Sequence, residues 1–98
     1  MSVHKDATIR RLLHRLDLAR RRWIVVDHWE ADLCAVGVAA VANPSRLVYV
    51  STYGKAKGRF DYECEVGSEG APDDYTGAGR GQDVAFDELV TVMEAHLG

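Results

Sequence analysis

The segment from Phe60 to Val66 alternates between apolar and acidic side chains, and this alternation constrains the fold more than any other feature of the sequence. Successive side chains of a β-strand point to opposite faces, so the pattern predicts a strand with one buried face and one charged face. The apolar side comprises Phe60, Tyr62, Cys64 and Val66, and the charged side comprises Asp61, Glu63 and Glu65. Such a strand predicts a sheet with one covered face and one face that is at least partly solvated.

Other patterns on both sides of this segment predict the remaining elements. Runs of β-branched and aromatic residues predict three more strands, and apolar residues at helical spacing predict a helix near each end of the sequence. In order, we expect a helix over Thr8–Arg21, strands over Trp23–His28, Leu33–Val41, Leu47–Tyr53 and Arg59–Val66, and a helix over Val84–Leu97 that Asp83 caps.

Turn-forming residues predict the connections between these elements. Asn43–Ser45 predicts a turn, because proline fixes φ and asparagine tolerates the left-handed conformation. Gly54–Gly58 has the length and composition of a hairpin loop. Residues 67–82 are rich in glycine and acidic residues and show no periodicity, which predicts a long surface loop.

The predicted order α-β-β-β-β-α favours a two-layer α+β fold, in which a four-stranded antiparallel β-meander packs on two helices. Short connections join antiparallel neighbours, and the two amphipathic helices should cover one face of the sheet. The chain has 98 residues, so we expect a single domain over residues 1–98. The acidic row of the alternating strand should then lie on the open face.

Charge is unevenly distributed along the sequence. Residues 1–22 contain seven Lys or Arg and two Asp or Glu, giving +5, whereas residues 23–98 contain the other five basic and 13 acidic residues, giving −8. The acidic remainder would repel a phosphate backbone and attract a basic protein. The charge pattern therefore favours a protein partner over a nucleic acid.

Several functional classes lack support in the sequence. No apolar run approaches the ~20 residues of a membrane span, and the charged N-terminal residues lack the apolar core of a secretory signal, so we expect a cytoplasmic protein. Cys34 and Cys64 should be free thiols packed within strands. No catalytic signature or metal-ligand spacing is present, and we expect neither an enzyme nor a bound metal or other cofactor.

Two stretches of the predicted sheet, VDHWEADLCAVGVA from Val26 and LVYVSTYGKAKGRFDYECE ending at Glu65, resemble small bacterial immunity proteins. These are encoded beside polymorphic toxins, including those of contact-dependent growth inhibition systems. The most specific parts are Val48–Lys55 and Gly58–Glu65. The resemblance implies a non-catalytic inhibitor that binds the C-terminal domain of its cognate toxin in the cytoplasm. The toxins that such proteins inhibit are often nucleases, including nucleases that act on tRNA.

Acidic residues supply the candidate contact surface for a basic toxin domain. Carboxylates would pair with lysines and arginines of the toxin, and a tyrosine would add apolar contact area. The predicted partner-binding residues are Asp61, Glu63, Glu65, Glu69, Asp73, Asp74 and Tyr75.

The arginine-rich first helix leaves an alternative open, a small module that binds nucleic acid through phosphate contacts. The arginines concerned are Arg10, Arg11, Arg15, Arg20, Arg21 and Arg22. An enzyme with an unrecognised site and a homodimer formed through an exposed edge strand are further alternatives.

Overall fold

An antiparallel sheet and its helices form an α+β fold, described here by a computed structural model over residues 5–26, 32–68 and 71–98, with the backbone alone at residues 68 and 71–76. The helices are α1 (Ala7–Leu16), α2 (Leu18–Arg21) and α3 (Phe86–Leu97), and the strands are β1 (Trp23–Val25), β2 (Ala35–Ala40), β3 (Asn43–Ser51), β4 (Arg59–Ser68) and β5 (Ala71–Ala85). The strands pair antiparallel in the order β1-β2-β3-β4-β5, so each strand lies beside its neighbours in sequence.

The sheet has five strands where four were predicted, because β5 occupies most of the segment 67–82 that was predicted as a loop. The backbone of β5 pairs with that of β4 from Arg59↔Ala85 to Ser68↔Ala71. Glycine serves close packing here, since a Cβ added to Gly81 would lie 2.3 Å from the ring of Tyr62. Backbone pairing to a neighbouring strand requires no side-chain periodicity, so the glycine-rich, acidic composition of this segment wrongly indicated a loop.

The predicted helices also begin and end at different residues. Asp17 adopts a left-handed conformation (φ 51°), which ends α1 and separates it from α2. Asp83 is not the cap of the last helix, because it lies within β5 with φ 54°, and α3 begins after Ala85 without a side-chain cap. Asp6 does cap α1, since its carboxylate accepts the N–H of Ile9 at 3.1 Å.

Strand boundaries shift by a few residues. The predicted turn at residues 43–45 falls instead on Val41 and Ala42, because Asn43 already pairs with Ala40 in β3. The strand β1 ends at Val25, and residues 27 and 28, which were predicted to extend it, lie outside the described residues. The hairpin loop before β4 is confirmed over residues 52–58, where Gly54 and Gly58 have φ of 69° and 79°.

One face of the sheet carries the main hydrophobic cluster, which includes the apolar stripes of α1 and α3. The helices contribute Ile9, Leu12, Leu13, Leu16, Leu89, Met93 and Leu97, and the sheet contributes Trp23, Val36, Val38, Ala40, Val48, Val50, Phe60, Cys64 and Val84. The apolar side of the alternating strand therefore faces the helices, as its period of two predicts.

The opposite face has a buried part on β2 and β3 and an exposed part on β4 and β5. Ala35, Ala39 and Leu47 are completely buried although they lie outside the main cluster. Leu47 is directly across from Glu65, and Tyr49 is directly across from Glu63, which places the acidic row on this face. The acidic row thus lies opposite the helices, as the alternation predicts, but on a face that is only partly open.

Candidate functional site

Glu63 lies at the middle of the acidic row and is exposed. It is paired across the sheet with Tyr49 of β3 on one side and with Arg80 of β5 on the other. The glycines of β5 leave a shallow depression of about 300 Å³ beside it, lined by Glu63, Gly77, Gly79 and Arg80. A Cβ added to Gly77 would lie 3.7 Å from the Glu63 Oε1 atom, which is an ordinary van der Waals contact.

Asp61, the first residue of the row, already has partners within the chain. Its Oδ1 atom lies 3.1 Å from Lys55 Nζ and accepts the backbone N–H of Asp83 at 2.9 Å. The carboxylate is partly buried. Asp61 thus connects the 52–58 loop to β4 and β5, and its charge is less available than that of Glu63.

Glu65, the last residue of the row, is half-buried. Its backbone carbonyl oxygen is 3.0 Å from His96 Nε2, which connects β4 to the last turn of α3. The three acidic residues therefore share a face but differ in accessibility, with Glu63 the most exposed.

Tyr49 and Asp32 add a polar contact to this face that the sequence reasoning missed. The Tyr49 hydroxyl donates to Asp32 Oδ2 at 3.4 Å. Burial raises the pKa of Tyr49, and the Asp32 carboxylate raises it further. The position of Tyr49 between Val48 and Val50 was the available signal, since alternation puts it on the acidic face.

The candidate residues predicted within the loop do not form a loop cluster. Asp73, Asp74 and Tyr75 belong to β5, where the backbone of Tyr75 pairs with Gly67. Glu69 lies outside the described residues. The prediction that these residues lie on a surface loop is wrong for the three that are described, and their role in binding stays a prediction.

The arginines of the first helical region do not form one continuous surface. Arg21 is held by the chain itself, because its Nη1 atom lies 2.7 Å from Glu94 Oε2 and its Nε donates to the Leu16 carbonyl at 2.7 Å. Arg11 and Arg15 line a groove together with residues of the 52–58 loop. Arg10 is about 100° from Arg11 around the helix and is not part of that groove.

An apolar cavity of about 750 Å³ lies between the first two helices and β1, the strand at one end of the sheet. Leu13, Leu18, Ile24 and Val41 contribute to its lining. Ile24 and Val41 are 42% and 54% exposed, which is high for large apolar residues.

Cys64 is buried and Cys34 is half-buried, both as free thiols. The Cys34 Sγ atom donates to Asp6 Oδ2 at 3.1 Å, and this hydrogen bond is the main reason why the pKa of Cys34 is raised. Burial raises the pKa of Cys64. A raised pKa lowers the thiolate fraction and hence the nucleophilicity of both residues at neutral pH.

The described residues were also compared with the requirements of a metal site and of a membrane span, and the sequence was compared with known proteins. Within residues 5–26, 32–68 and 71–98, no group of three or more His, Cys, Asp and Glu residues is arranged to hold a metal ion. In those same ranges no helix has the length and apolar character needed to cross a bilayer. Comparison with protein-family models, with curated proteins and with solved structures gave no match to this chain.

Proposed function

We propose that this protein is an immunity-type inhibitor that binds a basic toxin domain through the face of β4 and β5 that carries Asp61, Glu63 and Glu65, called the acidic face, on which Glu63 is the exposed carboxylate. The observation that carries the proposal is the exposed carboxylate of Glu63 beside a depression in which Gly77 and Gly79 contribute no side chains. The resemblance of the sheet segments to immunity proteins gives the class of partner. The proposal assigns no catalytic step to the chain.

The depression beside Glu63 suits the side chain of a lysine or arginine from a partner. Its volume of about 300 Å³ admits an extended basic side chain, and its walls are largely backbone because two of the four lining residues are glycines. A cation inserted there would approach Glu63, and the bound partner would shield the pair from water, which makes a charge pair stronger than on an open surface.

Arg80 gives the face a pattern of both charge signs, because it lies directly across from Glu63. A partner with a lysine or arginine opposite Glu63 and a carboxylate opposite Arg80 would match the pattern. A wrong register would place like charges together, which costs several kcal/mol in protein interfaces. The mixed pattern thus favours specificity for one partner over general attraction to basic proteins.

A co-expression experiment tests the proposal. The C-terminal domain encoded by the adjacent upstream gene would be induced in cells with and without this protein, followed by co-purification. We expect growth arrest that only this protein relieves, together with a stable complex. Toxicity that this protein fails to relieve, or a neighbouring domain that is neither toxic nor bound, would overturn the proposed function.

A matched pair of variants tests the location of the contact. Glu63→Gln should weaken the complex by about tenfold or more, because a desolvated charge pair is lost. Glu88→Gln makes the same charge change at an exposed residue of α3 and should leave affinity unchanged. Equal affinities of the two variants would show that the acidic face is not the contact surface, even if growth rescue succeeds.

The nucleic-acid alternative has less support from the geometry. Arg21 is paired with Glu94, and Arg10 lies about 100° around the helix from Arg11, so the arginines named for this alternative are not all on one surface. A phosphate backbone would need several of them on one surface.

A further inference from the structure

A basic groove lies between α1 and the 52–58 loop, and one of its lining residues, Lys55, pairs with Asp61 of the acidic row. Its volume is about 360 Å³, within the range of small-molecule pockets. We call it the cationic groove, because its lining includes five basic residues: Arg11, Arg15, Lys55, Lys57 and Arg59. The lining includes no acidic residue.

Among the described residues, carboxylates neutralise two of these five cations. Lys55 Nζ lies 3.1 Å from Asp61, and Arg59 Nε lies 3.3 Å from Asp83. In the described part of the chain, no carboxylate lies within ion-pair distance of Arg11 or Lys57. The cationic groove therefore keeps a local excess of positive charge.

Within the described ranges, Arg15 contacts an aromatic ring and not a carboxylate, so its positive charge is not neutralised by an ion pair there. Its guanidinium carbon lies 3.8 Å from the centre of the Phe86 ring, a cation–π contact that orients the group. Arg11 lies one turn earlier on the same side of α1, and like charges at this spacing weaken a helix slightly. An anion bound between them would remove that repulsion.

The rest of the lining combines hydroxyl groups with an apolar floor. The hydroxyls of Thr8 and Thr52 are 2.7 Å apart, joining α1 to the hairpin loop at the groove. Leu12 and Phe60, both buried, form part of the lining. The groove is thus bounded by side chains from two elements that the core holds together.

We propose that the cationic groove binds a small ligand that carries two or more phosphate groups, such as a nucleoside triphosphate. The guanidinium groups of Arg11 and Arg15 and the ammonium group of Lys57 have no ion-pair partner among the described residues and suit phosphate oxygens, because the planar fork of arginine matches them with paired hydrogen bonds. The limited volume favours a compact ligand over a polymer. This site is independent of the proposed inhibitor function and lies on residues outside the acidic face.

Isothermal titration calorimetry with ATP and with inorganic tripolyphosphate, both in the absence of divalent metal, tests the proposal. The double variant Arg11→Gln, Lys57→Gln should bind either probe at least about tenfold more weakly than the unmodified chain, the loss expected for one charge-assisted contact. Both residues are exposed, so the variant should fold, and circular dichroism would verify this.

The control is the double variant Arg10→Gln, Arg20→Gln, which removes the same charge at exposed positions outside the groove. It should bind both probes as the unmodified chain does. Groove-dependent binding of either probe supports the proposal. An equal loss in the two double variants, no binding of either probe, or tighter binding of a single-stranded oligonucleotide or an acidic peptide than of ATP would overturn it.

Discussion

Replacement of Asp6 by alanine tests how α1 is attached to the sheet. The Asp6 carboxylate accepts the Ile9 N–H at 3.1 Å and also accepts from the Thr8 hydroxyl and from the Cys34 thiol. Its own backbone N–H donates to the carbonyl oxygen of Leu33 at 3.0 Å. Asp6 therefore caps the helix and connects it to the segment that precedes β2.

The expected loss follows from these contacts. Removing an N-cap side chain costs about 0.5 to 2 kcal/mol, and removing a negative charge from a helix N-terminus costs about 0.3 to 1 kcal/mol. We expect Asp6→Ala to lower the free energy of unfolding by about 1 to 2 kcal/mol, and Tm by about 4 to 16 °C for a domain of this size. Asp6→Asn keeps a capping oxygen and should lose less.

The stability difference should also depend on pH. The hydrogen bond from Thr8 is the main cause that lowers the pKa of Asp6 in the folded protein. A carboxyl with a lowered folded pKa stabilises the protein fully above its unfolded pKa of about 3.9, and this stabilisation is lost as pH falls through the folded pKa. The difference in the free energy of unfolding between Asp6→Ala and the unmodified chain should therefore become smaller at acidic pH.

Urea denaturation at a series of pH values from neutral to acidic measures both effects. An Asp6→Ala variant as stable as the unmodified chain at pH 7 would refute the reasoning. A gap that stays constant as the carboxyl is protonated would show that the loss does not come from the charged cap.

Substitutions can test two further contacts, one between β4 and β5 and one between Asp6 and Cys34. Gly81→Ala should reduce the free energy of unfolding by about 1 to 3 kcal/mol, because the added methyl group would overlap the Tyr62 ring; a variant with unchanged stability in urea would contradict the tight packing of β5 against β4. Asp6→Asn should increase the rate at which a disulfide reagent labels Cys34 at pH 8, because the carboxylate that raises the pKa of this thiol is removed. An unchanged rate would show that Asp6 does not control this thiol.

The sequence predicted the elements whose buried face leaves a periodic pattern of apolar side chains. The alternation from Phe60 to Val66 located β4 and its two faces, because burial on one side leaves a period of two in the sequence. The apolar stripes of α1 and α3 were visible for the same reason, at the helical period. The break at Asp17 was not predictable, since it depends on one backbone conformation that several residue types adopt.

The strand β5 was missed because its stability comes from outside its own sequence. The backbone groups of β4 provide pairing for it, and a Cβ added to residue 81 would overlap the Tyr62 ring of the neighbouring strand. The contacts at the candidate sites could not be predicted for the same reason, because they join residues from separate parts of the sequence. The pairing of Asp61 with Lys55 depends on the shape of the hairpin loop, and the cationic groove combines residues more than forty positions apart in the sequence.

The irregular pairing of β5 also bears on how copies of this protein behave at high concentration. A long strand at the end of a sheet offers unpaired N–H and C=O groups on which another chain can add a strand. In β5 the register shifts at three places, and Gly79 and Asp83 have φ of 137° and 54°. These interruptions twist the strand and change the spacing of its outward hydrogen-bonding groups, so a second copy would meet no long, flat edge on which fibril-like stacking could begin.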